Sequence, residues 1–210
     1  MNPIPMTLSR DLVAHLANKH GATVVSQADG IGAAVRALLD GAARISPVVD
    51  TIVDELLSRT ARVSVTVPTP GDPLIVLSPA AVADPLRYAM TGAHEMQHAV
   101  QIHAGGRVRT SIDYVASPEL RARAEADAYA VGLWVGYLLT GMLPSLDDAL
   151  RSIAGETYHL ADDEVALARG VLESHLATMS AGVCPPLTVA LDVLTWLRAE
   201  HPDAIVPVIA

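Results

Sequence analysis

The chain has 210 residues, 51% hydrophobic and 18% charged, with a mean hydropathy of +0.36, a balance that excludes an extended disordered region. The length is that of one domain, or of one domain with an extension, and is ample for a buried core. A formal net charge of −9, with no strong cluster of Arg or Lys, lacks the basic footprint that a nucleic-acid binder needs.

Phe is absent and aromatic residues reach only 3%, so the core has to be built from Ala, Val and Leu, and the abundance of Ala favours helix. Cys184 stands alone, which rules out an internal disulfide and any cysteine-based zinc cage and fits a reducing compartment. The N-terminal MNPIPMTLSRDLVAHL has no charged stretch leading into a long apolar one, so no signal peptide is expected and a cytoplasmic protein is the default reading.

In chain order, Leu8 to about Lys19 reads as a short helix capped by Ser9 or Thr7 and closed by Gly21. Two more helical stretches, AAVRALLDGAARI and SPVVDTIVDELLSRT, lie between Gly30 and Thr60, and residues 1–60 form an accessory helical layer. The period then changes. Arg62 to Val67 alternates, a PTPGDP turn follows, and Leu74 to Leu77 is an apolar run, so two strands are expected. Asp84-Pro85 opens a helix to about His103, stopped by Gly105-Gly106. After a loop containing Tyr114, Ser117-Pro118 opens another helix, to about Leu139. Residues 61–145 form the central unit. Three helices, Asp147 to Ala154, Asp162 to about Met179 and Pro186 to Glu200, make a buttress over 146–210, ending in an apolar tail, DAIVPVIA, that packs or adds an edge strand.

Ala128 to Pro144 carries no charge over 17 residues, the lower limit for a membrane span, but its three glycines and terminal proline favour a buried core helix.

Residues 94 to 98 read His-Glu-Met-Gln-His. On a helix, positions i and i+4 lie about 40° apart, so His94 and His98 project side by side from one face and can share a zinc ion. Glu95, turned by about 100°, stands clear of a coordination position and suits a general base. A catalytic zinc needs a third protein ligand. His103 comes one position too early for a continued three-histidine motif and Gln101 occupies its glycine position, which leaves the acidic residues of the next helix, Glu119, Glu125 and Asp127.

With these features the chain resembles the zincin metallopeptidases of glutamate-ligand type, the gluzincin-like group that includes thermolysin and compact bacterial and phage peptidases. The resemblance covers Leu74 to Leu139, roughly a third of the chain; HEMQH is its specific part and EADAYA is suggestive. It implies an α+β, mainly helical fold: a zincin-like domain with a small sheet, an HExxH active-site helix, and the 74–77 strand as the sheet edge above the cleft. In that group the third ligand often stands four residues before an aspartate that orients a ligand histidine. Placing Asp127 there would put Arg123 in the ligand position, where it cannot bind zinc. Glu125, at the entrance to the apolar half of its helix, is the favoured ligand, with Glu119 in reserve. Asp127 and Asp113 are candidates to orient the histidines, and Tyr114, Tyr129, Tyr158 and His159 to stabilise an oxyanion.

The expectation is a zinc-dependent metallopeptidase: His94, His98 and Glu125 hold the metal, and Glu95 is the base toward a metal-bound water. A protein or peptide is the expected substrate. The alternative is a non-catalytic structural or protein-interaction protein on a zincin-like fold, with zinc structural or absent.

Overall fold

Seen in a computed structural model, the chain is described over residues 3–26, 64–69, 71–143, 145–154 and 160–206. The two helical stretches expected between Gly30 and Thr60 lie outside the described residues, as do Tyr158 and His159. Helix α1 (Met6–His20) leads into β1 (Thr23–Ser26); β2 (Val65–Val67) and β3 (Leu74–Leu77) follow. Then come a single helical turn α2 (Pro79–Val82), the long α3 (Pro85–Gly105), α4 (Arg107–Ala116), the long α5 (Pro118–Thr140), α6 (Leu146–Ile153), α7 (Asp162–Ser180) and α8 (Thr188–Glu200). The fold is α+β and mainly helical, with a small mixed sheet.

Helix boundaries follow local chemistry. The side chains of Asp84 and Ser117 accept from the backbone N–H of Arg87 and Leu120, each with a proline in the first turn, so α3 and α5 begin where a capping residue meets Pro. Gly141, at φ 71°, closes α5 in the left-handed conformation that suits glycine. Helix α1 departs from expectation: its N-cap is Pro5, with no side-chain cap, and Ser9 is buried inside the helix.

The sheet order is β1-β3-β2, with β3 parallel to β1 and antiparallel to β2. The expectation that 74–77 forms the sheet edge is therefore corrected: β3 is the middle strand. All four of its residues are buried, and an unbroken apolar run without alternation is what a strand covered on both faces needs. The connection expected as a loop after Gly106 is also corrected, because Arg107 to Ala116 is helical. With no side-chain cap and several β-branched residues, α4 owes its helicity to packing on α3 and α5 rather than to propensity. In the apolar C-terminal tail, residues 203–206 add no strand; the Val206 N–H donates to the Leu138 carbonyl at 3.0 Å and so packs the chain end on α5.

The uncharged half of α5 is core. Ala130 through Leu139 are all buried, with Trp134 fully enclosed, and α3, α6, α7 and α8 pack around this helix. Among the described residues no helix is long and apolar enough to cross a membrane. The closeness of α3 and α5 depends on small side chains. A Cβ on Gly132 would stand 3.1 Å from the Met90 carbonyl oxygen and 3.7 Å from His94 Cβ, and one on Gly136 3.1 Å from Met90 Sδ.

Gly132 is thus a test of how tightly the two helices must pack. Gly132→Val is expected to lower stability by about 1–3 kcal/mol through overpacking against a backbone carbonyl, read as a lower urea midpoint at unchanged slope. A variant as stable as the parent would show that the helices tolerate a wider spacing.

Candidate metal centre

Helix α3 turns Ala89, Ala93, Met96 and Ala99 into the core and leaves His94 and His98 at its margin, with side chains 12% and 13% exposed. Glu125 comes from the second turn of α5 and is fully buried. Its Oε1 lies 3.3 Å from His98 Nε2 and its Oε2 3.6 Å from His94 Nε2. One ligand atom from each of the three residues can be chosen so that all lie within 4.8 Å of one another. Tetrahedral coordination with bonds of about 2.0–2.2 Å places ligand atoms roughly 3.3–3.6 Å apart, so the two carboxylate–imidazole separations suit an ion held between them. Glu125 Oε2 is buried without a hydrogen-bond partner among the described residues, as expected of an oxygen whose partner is a cation.

The neighbours of the cluster hold it in shape. The Tyr114 hydroxyl, on α4, donates to Glu125 Oε1. Arg121 donates to the Tyr114 carbonyl at 3.0 Å. Tyr129 meets the His94 ring edge-on, with centroids 4.7 Å apart. Gln101 faces His98 Nδ1 at 2.9 Å. From β2, Thr66 Oγ1 lies 2.8 Å from Glu95 Oε2 and 2.9 Å from the Glu95 carbonyl, tying the sheet to the motif helix.

Several expected roles fall elsewhere. Glu119 is exposed beside Arg123, so the reserve ligand is out of reach of the histidines. Asp127 binds His175 of α7 at 2.9 Å, and Asp113 pairs with Arg109, so neither orients His94 or His98. His103 is exposed, near the Gly21 carbonyl. His20 pairs with Asp192, and His175 is held by Asp127, so these two are partnered across helices. Gln101 and Thr66 were not singled out for these roles. Gln101 had a local signal, three residues after His98 on the same helix; Thr66 had none, because it lies 29 residues from Glu95.

Burial shapes the proton inventory. It pushes His94 down to about 3, helped by the charge of His98. Burial also raises the Glu95 carboxyl to about 7, with His98 and the Thr66 hydrogen bond pulling the other way. On His98 burial acts downward too, but the charge and hydrogen bond of Glu125, then Glu95 and Gln101, outweigh it and raise the group to about 9. Glu125, despite its burial, is held well below the usual carboxylate range by His98, His94 and Tyr114. Burial and the neighbouring Glu125 raise the Tyr114 phenol, which stays protonated.

At pH 7 the metal-free cluster therefore carries a proton on His98 that a metal must displace. Zinc binding is expected to release about one proton at that pH, and apparent affinity to rise with pH until His98 loses its proton near 9. Calorimetric titration in buffers of different ionisation enthalpy measures this; zinc binding with no proton release would show that His98 is neutral beforehand. Compared with protein-family models, with curated proteins and with solved structures, the chain matches none.

Proposed function

We propose that this chain is a zinc-dependent peptidase of zincin type. The observation that carries the reading is the meeting of the HExxH imidazole pair with a fully buried carboxylate from a second helix, one oxygen of which has no hydrogen-bond partner among the described residues. His94, His98 and Glu125 would hold the zinc. An ion bound there would polarise a carbonyl and lower the pKa of a bound water toward about 7.

The protein's own groups supply the rest. Glu95 is buried, fixed by Thr66, and titrates near neutrality, so it can take a proton from the attacking water and return it to the leaving amine. Tyr114 keeps its proton and holds Glu125 in place. Among the described residues β2 is the outermost strand on its side of the sheet, and it is the strand that touches Glu95. An extended peptide paired along β2 would run beside the base, which favours peptide bonds over other amides as the substrate class. A reducing, cytoplasmic setting suits a ligand set without cysteine and a single thiol, Cys184.

A structural metal is the competing reading. Structural zinc sites are closed by four protein ligands, whereas the described residues offer three, and a site left open by one position is the catalytic arrangement. Glu95→Gln separates the two. The variant is expected to retain zinc while hydrolysis of an unfolded protein substrate falls about 10²- to 10⁴-fold. Parent protein that binds no zinc, or a variant that cleaves as well as the parent, would overturn the peptidase reading.

A further inference from the structure

Gln101 makes two contacts that constrain each other. Its Nε2 donates to the Ala124 carbonyl on α5 at 3.2 Å, and its Oε1 stands 2.9 Å from His98 Nδ1. A backbone carbonyl can only accept, so the amide must present its NH₂ end to Ala124 and its oxygen to the imidazole. That oxygen can only accept in turn, so His98 must carry a proton on Nδ1. A neutral His98 is then left with its lone pair on Nε2, the nitrogen that faces Glu125 Oε1 at 3.3 Å.

The same amide acts on the other ligand. Ala124 immediately precedes Glu125, so the Gln101–Ala124 bond ties the motif helix to the third-ligand helix one residue from the carboxylate. His94 has no such arrangement among the described residues; its ring is held by the edge-on contact with Tyr129. Neither aspartate expected for the orienting role is available, since Asp127 is engaged by His175 and Asp113 by Arg109.

We propose that Gln101 is the positioning residue of the metal centre: it selects the His98 tautomer, fixes the ring's rotation and registers Glu125 against it before a divalent metal arrives. This inference rests on the zinc-site reading above. Loss of such an outer partner typically weakens metal binding 10- to 100-fold.

The test uses the full chain and two variants. Zinc affinity is measured by competition with a chromophoric chelator, ligand geometry from the visible absorption of the cobalt(II)-loaded protein, and folding from thermal unfolding of the metal-free form. Gln101→Leu removes both hydrogen bonds and is expected to bind zinc about 10- to 100-fold more weakly, with an altered cobalt spectrum and little change in metal-free unfolding. Gln101→Glu keeps an acceptor for the His98 Nδ1 proton but loses the donor to the Ala124 carbonyl, so it is expected to recover part of the affinity that Gln101→Leu loses, the share owed to tautomer selection. Parental affinity in Gln101→Leu, no recovery in Gln101→Glu, or a loss explained by unfolding would overturn the positioning role while leaving the zinc site standing. Failure of the parent chain to bind either metal would instead remove the zinc reading itself.

Discussion

The structure depends on the close approach of α3 and α5. Glu125, Tyr129, Gly132 and Gly136 recur at helical spacing along one stripe of α5. They meet, in reverse order, His98, His94 and Met90 along one stripe of α3, so the two helices run antiparallel at the contact. The glycines set the distance. At Gly132 there is room for a hydrogen but not comfortably for a methyl, since the Met90 carbonyl oxygen would stand 3.1 Å from it. Two helical turns along the same stripe, that spacing brings a buried carboxylate to within 3.6 Å of both imidazoles. A core without Phe and rich in Ala is what lets two helices pack this closely over much of their length.

Such a carboxylate is costly to bury, by several kcal/mol for an ionised group without compensation. Here the compensation is uneven. Oε1 receives the Tyr114 hydroxyl and faces the imidazole of His98, while Oε2 faces His94, which burial keeps neutral. The result is a cluster whose two imidazoles are driven apart, one toward losing its proton and one toward keeping it. In the metal-free protein the proton on His98 partly balances Glu125. A divalent cation held by His94, His98 and Glu125 would supply the positive charge that the single proton on His98 gives only in part.

How much of this could be read from the residues depends on the range of each contact. His94 and His98 are related by one helical turn, so local pattern marks them as a pair; the change from the charged to the uncharged half of α5 favours Glu125 but leaves Glu119 and Asp127 open beside it. The caps at Asp84 and Ser117 were legible from local pattern as well. The sheet was not. Thr23–Ser26 is a strand of four residues, too short to display a period, and two strands alone leave each at an edge; the third strand puts β3 in the middle. Its unbroken LIVL run carried that information, but it could be used only once a partner on each side was known. Helix α4 was missed because its sequence does not favour a helix by itself, and Tyr114 reached Glu125 only through that tertiary support.

The arrangement also separates two tasks that a single five-residue motif carries. Both histidines and Glu125 belong to the α3–α5 contact, whereas Glu95 points toward the sheet and is held by Thr66 of β2. A change in how the sheet docks would therefore reposition the base without disturbing the ligands, and a change in the spacing of α3 and α5 would do the reverse. In the proposed enzyme, metal affinity and proton transfer rest on different tertiary contacts, although residues 94 and 95 are neighbours in the chain. The roughly 100° turn between adjacent helical residues makes that separation possible, because it sends consecutive side chains to different elements of the fold.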